Sequence, residues 1–232
     1  MYRQIPSKIN RIATNIFHGT ANNRKRRRTI AKFADKIGLI YFGPVNQISD
    51  EHKVVRGFTV SSSHKDASYC VGTIDDYNIT LVDRKDAVLQ PNGKAENYQW
   101  LVMAFELHTD KDLPHLFIGA HDKNPKPYEL LFGTFPKLQP ITLGTFENYH
   151  QDFTSRYTIS SRHDQSIEVE RLFPDNITRI IGEHFWPLSA EHHEGVLYIY
   201  SDKQNITPNL MSVMIENGLW LAGHLDRQAE IV

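Results

Sequence analysis

The chain has a single cysteine, Cys70, among its 232 residues, so no intrachain disulfide forms and a multi-cysteine zinc site is excluded. A reducing compartment suits such usage. Long apolar runs are missing as well. WLVMAF at 100–105 and LFIGA at 116–120 fall far short of the ~17 residues that cross a bilayer as a helix. The first 20 residues, interrupted by lysine, arginine and asparagine, lack the continuous apolar segment of an export signal. These absences predict a cytoplasmic protein without a transmembrane span. In that setting the Asn-Ile-Thr triplets at Asn78, Asn176 and Asn205 are strand and helix-start chemistry, not glycosylation sites.

Catalytic signatures are scarce too. No Gly-X-Ser-X-Gly elbow, Walker loop or Gly-X-Gly-X-X-Gly turn occurs, which removes the commonest nucleophile and phosphate cradles. Glu183-His184 has no second histidine at the spacing of a helical zinc site. Cys70 falls within a predicted strand, where a thiol is normally buried and inert. The adjacent acids Asp75 and Asp76 read as a turn. The chain is nonetheless rich in histidine, with 12 residues. His115 and His121 are six positions apart, with Asp122 next to the second, so an unbroken strand would put both rings on one face. Gly119 and Ala120 predict an end to that strand, and no third ligand follows at metal-like spacing. His192 and His193, flanked by acids, read as an exposed pair whose side chains diverge. The expectation is therefore no resident metal and no cofactor.

Acidic residues are nearly absent from the first 36 positions. That segment holds ten Lys or Arg and one acid, Asp35, for a charge of +9; the remaining 16 basic and 26 acidic groups give −10. A basic arm thus precedes an acidic body. In the arm, Ile5, Ile9, Ile12 and Ile16 recur at helical spacing, with Lys8 and Arg11 off that face. This is the pattern of an amphipathic helix that lies on an anionic surface or packs on the body. The run Arg24, Lys25, Arg26, Arg27 and Arg28 then opens a second helix, which buries Ile30, Phe33 and Ile37 and stops at Gly38.

From Leu39 to about residue 120 the pattern becomes strand-like. The segments 39–43, 54–60, 68–74, 78–84, 97–107 and 115–119 are rich in β-branched and aromatic residues. Turn signals at Asp75-Asp76 and Pro91-Asn92-Gly93 make neighbours antiparallel. Residues 127–135 suggest a short helix, 153–160 a strand, 166–173 and 174–185 helices, and 186–201 a strand pair about Glu194-Gly195. The final segment has Thr207 as cap, Pro208 in the first turn, and Leu210, Met214, Gly218, Leu221 and Leu225 on one face. These features predict a helix of about 20 residues. Strands grouped early and helices grouped late predict an α+β fold, a mostly antiparallel sheet with an N-terminal helix and a long C-terminal helix. The arm occupies residues 1–23 and one α+β domain occupies 24–232, with a subdivision near 145–150 left open.

Between residues 153 and 200, the order of Phe153, Tyr157 and Ile159, then Asp164, Leu172 and Pro174, then the strand from Gly195 to Tyr200 resembles an uncharacterised bacterial domain family. Members of that family often carry membrane helices ahead of the domain. The resemblance implies an α+β domain working near the inner face of the membrane, and it transfers no catalytic residue.

The function expected from these features is a non-enzymatic binding or regulatory module, peripheral to the inner membrane. Its anion-binding residues are Lys8, Arg11, Arg24, Lys25, Arg26, Arg27, Arg28 and Lys32, and its partner is an anionic membrane surface. Nucleic acid held by the 24–28 run is one alternative, and an enzyme with a site containing His115, His121 and Asp122 is the other. A protein partner also stays open.

Overall fold

Alternation along the strands sorts the sheet into two faces, and one of them carries every described helix. The computed structural model describes residues 23–44, 65–89, 95–120, 138–144, 148–202 and 205–231. Helix α1 spans 23–37. It ends where Gly38 turns to φ +82°, a left-handed geometry that suits glycine at a helix stop. There follow β1 (Ile40–Gly43), β2 (Lys65–Ile74), β3 (Tyr77–Leu89), β4 (Ala95–Glu106), β5 (Leu116–Ala120) and β6 (Gln139–Pro140). The later half comprises α2 (Gln151–Arg156), β7 (Tyr157–Ser161), α3 (Ser166–Leu172), α4 (Asp175–His184), β8 (Ser189–His193), β9 (Val196–Ser201) and α5 (Pro208–Ile231).

The nine strands form one sheet in the order β1-β2-β3-β4-β9-β8-β5-β7-β6. All its pairings are antiparallel. The α+β class, the antiparallel sheet and the N- and C-terminal helices match expectation. The β2–β3 turn is built by Asp75 at φ 47° and Asp76 at φ 67°, since two residues of positive φ match the twist of a two-residue hairpin. Glu194 and Gly195 make the corresponding turn between β8 and β9.

Register explains the layering, because residues two apart share a face. Leu81, Leu101, Met103, Phe105, Ile118, Ile159 and Ile199 point to the helical face, where they join Ile30 and Phe33 of α1, Phe153 of α2, Leu172 of α3, Ile181 of α4 and Met214 of α5 in one apolar cluster. The opposite face carries Tyr69, Val82, Trp100, Val102, Phe117, Tyr198 and Tyr200. Full burial of each large side chain contributes about 1.5–3 kcal/mol, so both faces contribute to stability. Close approach sets the helix positions as well. A Cβ on Gly182 would lie 2.6 Å from the Phe153 backbone nitrogen, so α4 rests against the start of α2 only with glycine there.

Two local expectations are corrected. Residues 153–156 are helical, not extended: the His150 ring accepts from the Asp152 amide and starts a turn that buries Phe153. The strand expected to end at Gly119-Ala120 instead runs through both, because each pairs with β7. The C-terminal helix is the long one expected, 24 residues, and β6 had no sequence signal. The segments 54–60, 91–93 and 127–135 lie outside the described residues.

Candidate functional site

Helix α1 displays its cations on one side. At 3.6 residues per turn, Arg24, Arg28, Lys32 and Lys36 rise as a single row about 18 Å long, with Lys25 and Arg27 flanking it. All six are exposed, while Ile30, Phe33 and Ala34 are buried on the reverse side. None of the six forms an ion pair among the described residues. Lys8 and Arg11 lie outside the described residues.

Arg26 departs from the expected set. Its side chain points into the fold, where Nε donates to Asp83 Oδ2 of β3 at 2.8 Å, and each side chain is only 5% exposed. Asp83 also accepts from Gln99 of β4. The carboxylate beside the first turn of α1 offsets part of the dipole penalty that a cationic N-terminus incurs. Arg26 is therefore a structural ligand of Asp83 and not part of the exposed surface. The sequence grouped Arg26 with the anion-binding cations; the carboxylate that turns it inward lies 57 positions away, beyond the reach of helical periodicity.

A second polar constellation lies on the face that carries no described helix. Glu191 of β8 has a fully buried side chain, accepting from the Tyr200 hydroxyl at 2.6 Å and from His115 Nε2 at 2.8 Å. The His115 ring stacks on His193 with centroids 4.2 Å apart. Burial first, and the Glu191 charge next, hold the Tyr200 phenol well above its usual pKa, so it donates as a neutral hydroxyl. On the same face Arg84 grips Asp66 through Nε at 2.7 Å and Nη2 at 2.8 Å, a bidentate pair. Trp100 packs edge-on against Tyr200. Both Glu191 oxygens are thus occupied by donors from two different strands or their flanks, an arrangement that orients side chains across the sheet.

The histidines divide accordingly. His121 and Asp122 lie outside the described residues, so His115 is the described member of that trio. His192 and His193 do diverge to opposite faces, yet they are not the solvated pair expected. His192 is 2% exposed, with Nδ1 donating to the Pro114 carbonyl, because β8 extends through both residues and lies between β5 and β9. Burial lowers the His192 pKa despite that hydrogen bond, which raises it. Cys70 is buried, and burial pushes its thiol up to about 12; such a thiol is a poor nucleophile. Asp75 and Asp76 form a turn. Among the described residues no group of three or more His, Cys, Asp or Glu is placed to hold a metal. Glu191 and Arg84 went unnoticed in the sequence, since a charged residue in a strand looks the same whether it faces solvent or a partner.

A groove of about 250 Å³ opens near the β6–β7 edge, lined by Ile141, Leu143, Tyr149, Phe153, Tyr157 and Ile159 with three threonines. Its lining carries no acid, amine, guanidinium or imidazole.

No family model matches the chain, and no curated protein does. Among solved structures, the crystal structure of the mycobacterial trehalose monomycolate transport factor A, TtfA, is similar with a TM-score of 0.56 at 11% identity, covering 89% of this chain and 95% of that one. That likeness is one of fold. No described helix is long and apolar enough to cross a membrane.

Proposed function

We propose that the protein is a non-enzymatic binding or regulatory module that attaches reversibly to an anionic membrane surface through its basic N-terminal segment and the outer side of α1. The observation that carries this reading is the one-sided row of exposed cations on α1, unpaired among the described residues. Each cation held near an anionic leaflet contributes about 1 kcal/mol. Six of them, with the isoleucine-bearing segment ahead, suffice for reversible attachment. The fold neighbour is described as a transport factor.

Co-sedimentation with vesicles tests the reading. The chain is expected to pellet with vesicles containing phosphatidylserine, to stay in solution with pure phosphatidylcholine, and to be released by salt. Reversing Arg24, Lys25, Arg27 and Arg28 to glutamate should reduce binding by more than about tenfold. Equal binding to neutral and anionic vesicles would overturn it. Nucleic acid is the competing polyanion, and retardation of duplex DNA with no vesicle binding would shift the assignment to that partner.

A further inference from the structure

The row on α1 is extended by two lysines that lie far from it in sequence. Lys65 of β2 and Lys85 of β3 are directly opposite in the antiparallel register, and both are exposed. Like charges at such positions sit on Cβ atoms about 5 Å apart and repel. The Lys85 ammonium lies 3.1 Å from Asn23 Oδ1, at the start of α1, and Arg27 stands one helical turn beyond Asn23 on the same side. Lys85 therefore stands at the first turn of the helix, with Lys65 opposite it across the ladder and Arg27 one helical turn further along α1.

Among the described residues, nearby acids do not neutralise this group. Asp83, on the same face as Lys85, is held by Arg26 and Gln99; Asp66, next to Lys65, is held by Arg84 on the other face. Neither Lys65 nor Lys85 forms an ion pair among the described residues. Two opposed lysines beside a cationic helix start are unfavourable in the free protein. An external group with more than one negative charge converts that repulsion into attraction.

We infer that Lys65, Lys85 and Arg27 form a seat for a phosphate-bearing lipid headgroup, so that the end of the β2–β3 ladder at Lys65–Lys85, together with the start of α1, faces the bilayer. The inference rests on the membrane-surface reading and adds to it a defined site and an orientation. It treats attachment as more than a diffuse attraction between a basic arm and an anionic leaflet.

The test compares two full-length variants with the same change in net charge. K65E/K85E reverses the seat, and K111E/R171E reverses two exposed cations on other elements. Binding is measured on phosphatidylcholine vesicles with and without phosphatidic acid. K65E/K85E is expected to bind about tenfold more weakly than the native chain, while K111E/R171E changes little. A further variant, K85E alone, places an opposite charge across from Lys65 and should melt at or above the native temperature, which separates loss of binding from loss of fold. Equal weakening by the two double variants would overturn the seat and leave the membrane reading intact. Absence of binding by the native chain would overturn both.

Discussion

Arg26 and Asp83 join the first turn of α1 to the third strand of the sheet through a 2.8 Å ion pair, both side chains 5% exposed. The pair lies in a run of five consecutive cations, and it separates the run into one structural arginine and four that face outward.

Removing Arg26 should therefore differ sharply from removing its neighbours. Arg26→Met strands the Asp83 carboxylate in a buried site and is expected to cost about 3 kcal/mol, whereas Arg27→Ala should stay within about 0.5 kcal/mol. Urea denaturation reads both. The double variant R26M/D83L, which replaces the pair with apolar groups, should recover most of the loss. Equal costs for Arg26 and Arg27 would show that the pair does not anchor the helix.

Tyr200→Phe should cost about 2 kcal/mol, because the buried Glu191 carboxylate loses the hydroxyl that meets it at 2.6 Å. The urea midpoint should fall with an unchanged slope. A midpoint equal to that of the native chain would show that the Tyr200–Glu191 hydrogen bond adds nothing net to stability.

Acidic pH should lower stability through two buried imidazoles. Burial lowers the pKa of His192 and of His224, against hydrogen bonds to the Pro114 and Leu172 carbonyls that raise it. The unfolded chain binds protons near the ordinary histidine value of about 6.5, while the folded one resists. Their contribution is thus fully present above that pH and is lost as pH falls below it toward the folded values. Melting temperature is expected to drop between about pH 7.5 and about pH 5.5. H192N/H224Q, which keeps a donor toward each carbonyl but cannot titrate, should narrow the difference, and an unchanged difference would assign it to other groups.

Two glycines in α5 should respond in opposite directions. A Cβ at Gly218 would come within 2.1 Å of the Phe105 ring, a buried side chain with no room to yield, so Gly218→Ala should destabilise by roughly 1–3 kcal/mol. At Gly223 the nearest atom, 3.4 Å away, is the mobile end of Arg227. Gly223→Ala should stabilise by roughly 0.5–1 kcal/mol through helix propensity. Thermal melts of the two variants check the signs.

Local patterning made much of the architecture legible in advance. The spacing of Ile30, Phe33 and Ile37, the aspartate turn at 75–76, the alternating residues of β3, β4 and β9, and the cap and stripe of α5 are all readable from near neighbours, because helix and strand periods act over a few residues. Residues 153–156 were misread because the helix there is six residues long and depends on the His150 cap and on packing against Gly182. The separation of a basic segment from an acidic remainder was likewise a property of composition alone.

Partnership between distant residues was decided by the tertiary structure. Sequence periodicity places a charged side chain on a face but carries no information about what stands opposite it. Asp83 claims Arg26 across 57 positions, and Glu191 joins His115 across 76. Lys65 and Lys85 come beside the start of α1 only because β2 and β3 pair in that register. Charge count and helix pattern were determined by the chain itself. Which cations are consumed inside the fold and which remain to meet an anionic partner depends on long-range packing, since burial and a fixed geometry are what make an ion pair cost or contribute several kcal/mol.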